Sequence, residues 1–145
     1  MLSVTERIFF LAKVPLFSDL GLDSQTQLAA IAEEVTFQPG EDLFQQGDVG
    51  DSLYVVLDGE VAILLDGHEV NRMKPGESFG EIAVLDKGTR TAGGRAVSDV
   101  LALRIDRRAV EDLMARSSEL RLAIVAELGS RIRAIKERIR QLADR

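Results

Sequence analysis

The chain has no cysteine and no tryptophan, and only one histidine, one tyrosine and three prolines in 145 residues. Without cysteine there are no disulfides, no thiolate metal sites and no cysteine nucleophile, which suits a reducing cytoplasm. With His68 as the only imidazole, beside a turn, neither a multi-histidine metal centre nor a Ser-His-Asp hydrolase can be assembled. No metal site and no catalytic constellation is expected, so the chain reads as a non-enzyme. Long hydrophobic runs are missing too. The apolar run near the start, Ile8-Phe9-Phe10-Leu11-Ala12, is far too short to span a bilayer and lacks the flanks of a signal peptide. Net positive charge is absent: 18 Lys and Arg stand against 24 Asp and Glu, giving −6. A nucleic-acid surface covering the whole domain is therefore not expected.

What is present is an ordinary single domain, 46% hydrophobic and 29% charged, long enough to bury a core. Residues 1–33 read as helical. Val4, Ile8, Leu11 and Ala12 recur at helical spacing until Pro15, and Asp23-Ser24 are candidate caps for a second helix carrying Leu28, Ile31 and Ala32. Residues 34–106 change to short strands. The turn dipeptides Pro39-Gly40, Gly47-Asp48, Asp58-Gly59, Asp66-Gly67 and Pro75-Gly76 punctuate them at the rhythm of an antiparallel barrel or sandwich. Asp66-Gly67 predicts a two-residue hairpin, because both positions accept positive φ. The fold class expected is mainly β with flanking helices: an antiparallel double-sheet jelly-roll barrel, N-terminal helices, and C-terminal lid or dimer helices.

Residues 107–145 return to helix. Asp106 is a candidate cap for a run with Val110, Leu113 and Met114. Ser117 or Ser118 then caps a longer run with Leu120, Ile124, Leu128, Ile132, Ile135, Ile139 and Leu142. The spacing begins as a core stripe and ends close to a heptad seam. From Arg131 onward the polar faces are basic, with Arg131, Arg133, Lys136, Arg138, Arg140 and Arg145 against Glu137 and Asp144. A solvated face explains them as readily as a partner surface, and late positive charge also complements the helix dipole.

The most informative stretch is Phe79-Gly80-Glu81-Ile82-Ala83-Val84-Leu85-Asp86-Lys87-Gly88-Thr89-Arg90-Thr91-Ala92. It sets a carboxylate and an arginine nine residues apart around a short helix-prone run. Arginine meets phosphate with a planar two-pronged fork, and N–H groups at a helix start form an anion cradle. A carboxylate there would repel a bare phosphate, but it can accept from the hydroxyls of a sugar. The segment suggests a small ligand carrying phosphate and ribose side by side.

This segment resembles the phosphate-binding cassette (residues 79–92) of the cyclic nucleotide-binding domain family. Pro39 to Asp48, Gly50 to Val61 and Leu103 to Arg107 resemble the family's other turns and strands, so the likeness runs from about Leu16 to Arg138. The resemblance implies that Arg90 takes the cyclic phosphate and Glu81 the ribose 2′-hydroxyl. It implies that Gly80, Ile82 and Ala83 act through backbone groups, while Thr91 and Ala92 complete the cassette. Arg131, by its position after the β-region, is the candidate lid contact. The implied ligand is cAMP or cGMP, cAMP slightly ahead: a hydroxyl at Thr91 can favour guanine, but threonine there also occurs in family domains that respond to cAMP. No catalytic cofactor is implied.

Two positions depart from the family pattern: Thr89 replaces a common proline, and Gly93-Gly94 replaces a Ser/Thr and a β-branched residue. The glycines imply a weaker strand and a more open pocket, a lower affinity, or a bulkier cyclic nucleotide. A vestigial cassette on a dimerisation or interaction module is the alternative reading. Expected partners are the cyclic nucleotide and either a second copy through the C-terminal helix or an effector protein. The chain stops at Arg145 before any helix-turn-helix, so direct DNA binding is not expected.

Overall fold

The computed structural model describes residues 1–80 and 88–144. Two helices come first. Ser3 opens α1 (Val4–Leu11) with a capping box, its side chain accepting from Glu6 N–H while Glu6 reaches back to the Ser3 N–H. The expected second helix is present as α2 (Leu22–Ile31), but Asp23 and Ser24 lie inside its first turn and do not cap it. Gly21 occupies the N-cap, and its N–H donates to the Glu119 carboxylate at 3.0 Å, 98 residues away in sequence.

Eight strands follow: β1 (Glu33–Phe37), β2 (Asp42–Phe44), β3 (Ser52–Asp58), β4 (Val61–Leu65), β5 (His68–Met73), β6 (Ser78–Phe79), β7 (Gly93–Ala96) and β8 (Val100–Asp106). They form two four-stranded sheets in the orders β1-β8-β3-β6 and β2-β7-β4-β5, with every named pairing antiparallel. This is the double-sheet jelly roll. Among the described residues no ladder joins the two sheets, so the roll is open and not a closed barrel. The hairpin at Asp66-Gly67 forms as expected, with φ of 52° and 82° and Leu65 paired to His68.

The central strands of the first sheet, β3 and β8, are largely buried on both faces, and their alternation shows why. Leu53, Val55, Leu103 and Ile105 point to a core shared with the helices, where they meet Leu11, Phe17, Leu28, Leu113 and Leu120. Tyr54, Val56, Val100 and Ala102 point the other way, into the space between the sheets, with Val61, Phe79 and Ala96. Strands buried on both faces lose the polar alternation of a half-exposed strand, hence the apolar run Leu53-Tyr54-Val55-Val56-Leu57.

The chain ends in α3 (Arg107–Arg116) and α4 (Ser118–Ala143). Asp106 sits at the N-cap of α3, but its carboxylate bonds Arg104 at 3.3 Å and caps nothing. Ser117 is the working cap of α4, accepting from the Leu120 N–H at 3.2 Å. No helix among the described residues is long and apolar enough to cross a membrane.

Candidate functional site

Arg90 is built into the fold from its backbone outward. Its N–H donates to Asp48 C=O at 2.6 Å, its C=O accepts from Gly47 N–H at 2.9 Å, and Gly50 N–H donates to Gly88 C=O. A bridge between Val49 and Thr89 extends the same lacing. The turn after β2 thus fixes where the arginine leaves the chain.

The side chain runs inward. At 4% exposure, Arg90 is the one charged residue in the buried interior among the described residues. Its Nη1 donates to Gly80 C=O at 3.0 Å and its Nη2 to Ser52 C=O at 2.6 Å. Gly80 adopts φ +88°, and a Cβ there would stand 2.6 Å from Arg90 Nη1, so only glycine lets the guanidinium dock here. The Phe44 ring lies over the guanidinium at 4.2 Å, and Phe44 also packs on Tyr54 and Phe79, which stack on each other at 5.5 Å.

Among the described residues the charge of Arg90 is poorly compensated. The closest carboxylate among the described residues is Asp51 at 3.9 Å, which is largely exposed and shared with Arg104 at 3.3 Å. Burial pushes the guanidinium below its ordinary basicity, against a smaller opposing pull from Tyr54 and Asp51. Its Nε is buried with no hydrogen-bond partner among the described residues. The Nε atoms of Arg7, Arg72 and Arg107 share that condition, but Arg7 and Arg72 have carboxylates at 3.5 and 2.7 Å, and Arg107 is only half-buried. A buried cation with an unused donor and, among the described residues, a weak counter-charge has the chemistry to accept an anion.

The other expected site residues fall as follows. Gly80 and Arg90 are in contact through the hydrogen bond above. Glu81, Ile82 and Ala83 lie outside the described residues. Thr91 is exposed and Ala92 half-buried, immediately before β7. Arg131, on α4, donates to Ser78 C=O at 3.2 Å and pairs with Glu127 at 3.2 Å, so the last helix reaches the strand that leads into the cassette.

Of the two glycines that depart from the family pattern, Gly94 has a structural reason. Gly94 is the register partner of Phe44, and a Cβ at Gly94 would stand 3.1 Å from Phe44 Cζ. The space a β-branched residue would fill is taken by the aromatic ring from the facing strand. β7 is also no edge, since it pairs with β2 on one side and β4 on the other. Phe44, Ser52 and Tyr54 surround Arg90 in the candidate site, and the sequence did not single them out. Phe44 had one usable signal, an aromatic placed across from a glycine once the strands are in register. Among the described residues no cluster of groups could hold a metal ion.

Comparison with known proteins places these features in context. The sequence model of the cyclic nucleotide-binding domain matches residues 34–117. A CRP-like cAMP-activated global transcriptional regulator from Mycobacterium tuberculosis is 28% identical over 137 residues, which is 91% of this chain and 61% of that protein. Among solved structures, the catabolite activator protein of Thermus thermophilus superposes with a TM-score of 0.80 at 29% identity, over 89% of this chain and 63% of its own. The regulatory domain of Toxoplasma gondii PKA, crystallised with cAMP, gives 0.70 at 27% identity, over 76% and 44%. The chain therefore spans under two thirds of each. The matched segment contains both sheets, the laced turn and the buried Arg90, and with them this chain belongs to the cyclic nucleotide-binding domain family.

Proposed function

We propose that the domain binds a 3′,5′-cyclic mononucleotide, cAMP slightly ahead of cGMP, and passes its occupancy on through α4. The observation that carries this reading is Arg90: buried, held by two backbone carbonyls, and short of a counter-charge among the described residues. A cyclic phosphate supplies that charge and an acceptor for the unused Nε, through charge-assisted bonds that are strong where water is excluded. Glu81 takes the ribose hydroxyl in this reading. Gly80, Ile82 and Ala83 offer backbone groups, and Thr91 and Ala92 line the approach to the base. The preference for cAMP is supported by the cAMP-bound and cAMP-activated proteins that this chain resembles.

The relay assigned to α4 rests on Arg131. Its hydrogen bond to Ser78 C=O ties the helix to the strand that precedes Gly80. A ligand moves that helix only by the difference in its affinity for the two positions. The protein acts as a sensor and not as a catalyst.

A thermal-shift panel of cAMP, cGMP, cyclic dinucleotides and linear AMP, followed by calorimetry, tests the reading. Saturating cAMP at about a hundred times Kd should add about 2.7 kcal/mol of stability. Arg90→Ala should abolish binding while circular dichroism still reports a folded domain. Unchanged cAMP affinity in a folded Arg90→Ala protein would overturn the site. A second reading, in which the fold serves as an interaction module without a ligand, is favoured by the exposed apolar residues Ile132, Ile135 and Ile139 of α4. It requires that no nucleotide in the panel shifts the melting temperature.

A further inference from the structure

Arg107 is the first residue of α3, and helix chemistry does not account for it. The N-terminal end of a helix carries partial positive charge and favours a carboxylate. Glu6, Asp23 and Glu119 stand in the first turns of α1, α2 and α4, whereas α3 opens on Arg107 and Arg108 with no acid. Asp106 at its N-cap is turned to Arg104 and caps nothing. A cation set against the dipole needs another purpose, and the hydrogen bonds of Arg107 show one.

Two of its donors go to the link that leads into β3. The Arg107 N–H donates to Asp51 C=O at 2.8 Å, and its Nη2 donates to Gly50 C=O. The next carbonyl, that of Ser52, accepts from Arg90 Nη2 at 2.6 Å. Three successive carbonyls are thus taken by two arginines. Because peptide units are rigid, only φ and ψ of Ser52 separate the carbonyl that Arg107 holds from the carbonyl that Arg90 uses. Ser52 and Asp106 are the last pair of the β3–β8 ladder, and Arg107, the next residue, extends the hold past its end. On the other side, Gly50 N–H donates to Gly88 C=O at 3.2 Å, two residues before Arg90.

We propose that Arg107 is a positioning residue for the nucleotide. It touches no ligand atom; by holding Gly50 and Asp51 it aims the Ser52 carbonyl, and so sets how Arg90 presents its fork to the phosphate. The inference rests on Arg90 being the phosphate ligand, and it adds to that site a residue outside the cassette. A fork must match its acceptors in direction as well as distance, so a re-aimed carbonyl costs affinity without removing any group that meets the ligand.

The test is calorimetry on whole-chain variants with cAMP and its two phosphorothioate isomers, in which sulfur replaces one or the other exocyclic phosphate oxygen. Arg107→Ala should lower cAMP affinity about tenfold, the equivalent of one hydrogen bond. Arg107→Lys keeps the charge and a donor of similar reach, and should recover part of that loss. Arg108→Ala removes the exposed neighbouring cation from the same helix turn and should leave affinity unchanged. The wild type should favour one isomer, because a seated guanidinium meets the two oxygens unequally, and Arg107→Ala should narrow that preference. A general weakening of the fold would lower both isomers alike and keep their ratio. If circular dichroism shows that Arg107→Ala does not fold, Arg107→Met, of similar length and without a donor, takes its place with the same expectations. A wild-type isomer ratio in the variant would overturn the proposal. So would equal affinity of the wild type for the two isomers, equal losses in Arg107→Ala and Arg108→Ala, or a lysine variant no better than alanine. Arg90→Ala keeps the two readings apart: if it binds cAMP as the wild type does, the Arg90 site fails and this inference with it. If it abolishes binding while Arg107→Ala keeps the wild-type ratio, the role of Arg107 alone fails.

Discussion

Gly94→Val, studied with Phe44→Leu, tests the packing that seats Arg90. A side chain at residue 94 would start with its Cβ 3.1 Å from Phe44 Cζ and 3.4 and 3.5 Å from the two Cε atoms. Carbon atoms prefer about 3.5–4.0 Å, so even a methyl group presses the ring, and valine adds two more carbons. Overpacking of this kind costs about 1–3 kcal/mol. Replacing a strand glycine returns about 0.5–1 kcal/mol of backbone entropy, so the single variant should lose up to about 2.5 kcal/mol. Phe44→Leu alone loses the ring over the guanidinium, an interaction of about 0.5–2 kcal/mol. Leucine, however, removes the atoms with which the introduced valine collides. The double variant should therefore be more stable than the two single losses predict, with a coupling of about 1 kcal/mol or more.

Urea unfolding of the four proteins measures this coupling directly. Gly93→Ala is the control. Its Cβ would meet the Gln46 nitrogen and the Phe44 carbonyl at 3.5 Å, ordinary contact, so it should be neutral or slightly stabilising. The same variants should show weakened cAMP affinity wherever the ring is displaced or removed, in Gly94→Val, Phe44→Leu and the double variant alike, because the ring no longer holds Arg90 against Ser52 and Gly80. Additivity within about 0.3–0.5 kcal/mol would refute the claim that Phe44 occupies the space Gly94 leaves.

Three further outcomes are expected. Gly80→Ala places a Cβ 2.6 Å from Arg90 Nη1 at a backbone φ of +88°; it should cost about 1–2 kcal/mol in thermal or urea unfolding and reduce cAMP affinity well beyond that in calorimetry, and unaltered affinity would argue against this seating of the guanidinium. Arg131→Ala removes the link from α4 to Ser78 and should weaken cAMP binding several-fold by calorimetry, whereas Arg133→Ala, two residues away and exposed, should not; equal effects would detach the relay from Arg131. Ser117→Ala removes the side-chain cap of α4 and should cost about 1 kcal/mol in urea unfolding, with no change in ligand affinity once the domain is folded.

What could be read from the sequence was what local chemistry dictates. Asp66-Gly67 had to be a hairpin because both residues accept positive φ, and it is one. The stripe from Leu120 to Leu142 had to be a helix that leaves the core, and its burial ends after Ile124, with Leu128 at the boundary. Arg90 could be singled out by its place in the cassette, but not its burial. The groups that seat it are backbone carbonyls of Ser52 and Gly80, and a carbonyl carries no residue signature. The helix start at Leu22 was hidden for a related reason. Asp23-Ser24 looked like a cap on local grounds, yet the acceptor for Gly21 N–H is a carboxylate 98 residues downstream. Gly93-Gly94 carries the same argument furthest. Read along the chain, two glycines weaken a strand and empty a pocket. Read across the sheet, one of them is the socket of Phe44, 50 residues earlier, and that aromatic lies over the arginine of the candidate site. A departure from a family pattern at one position is therefore best tested against its register partner, because a pair can conserve filled volume while neither residue does.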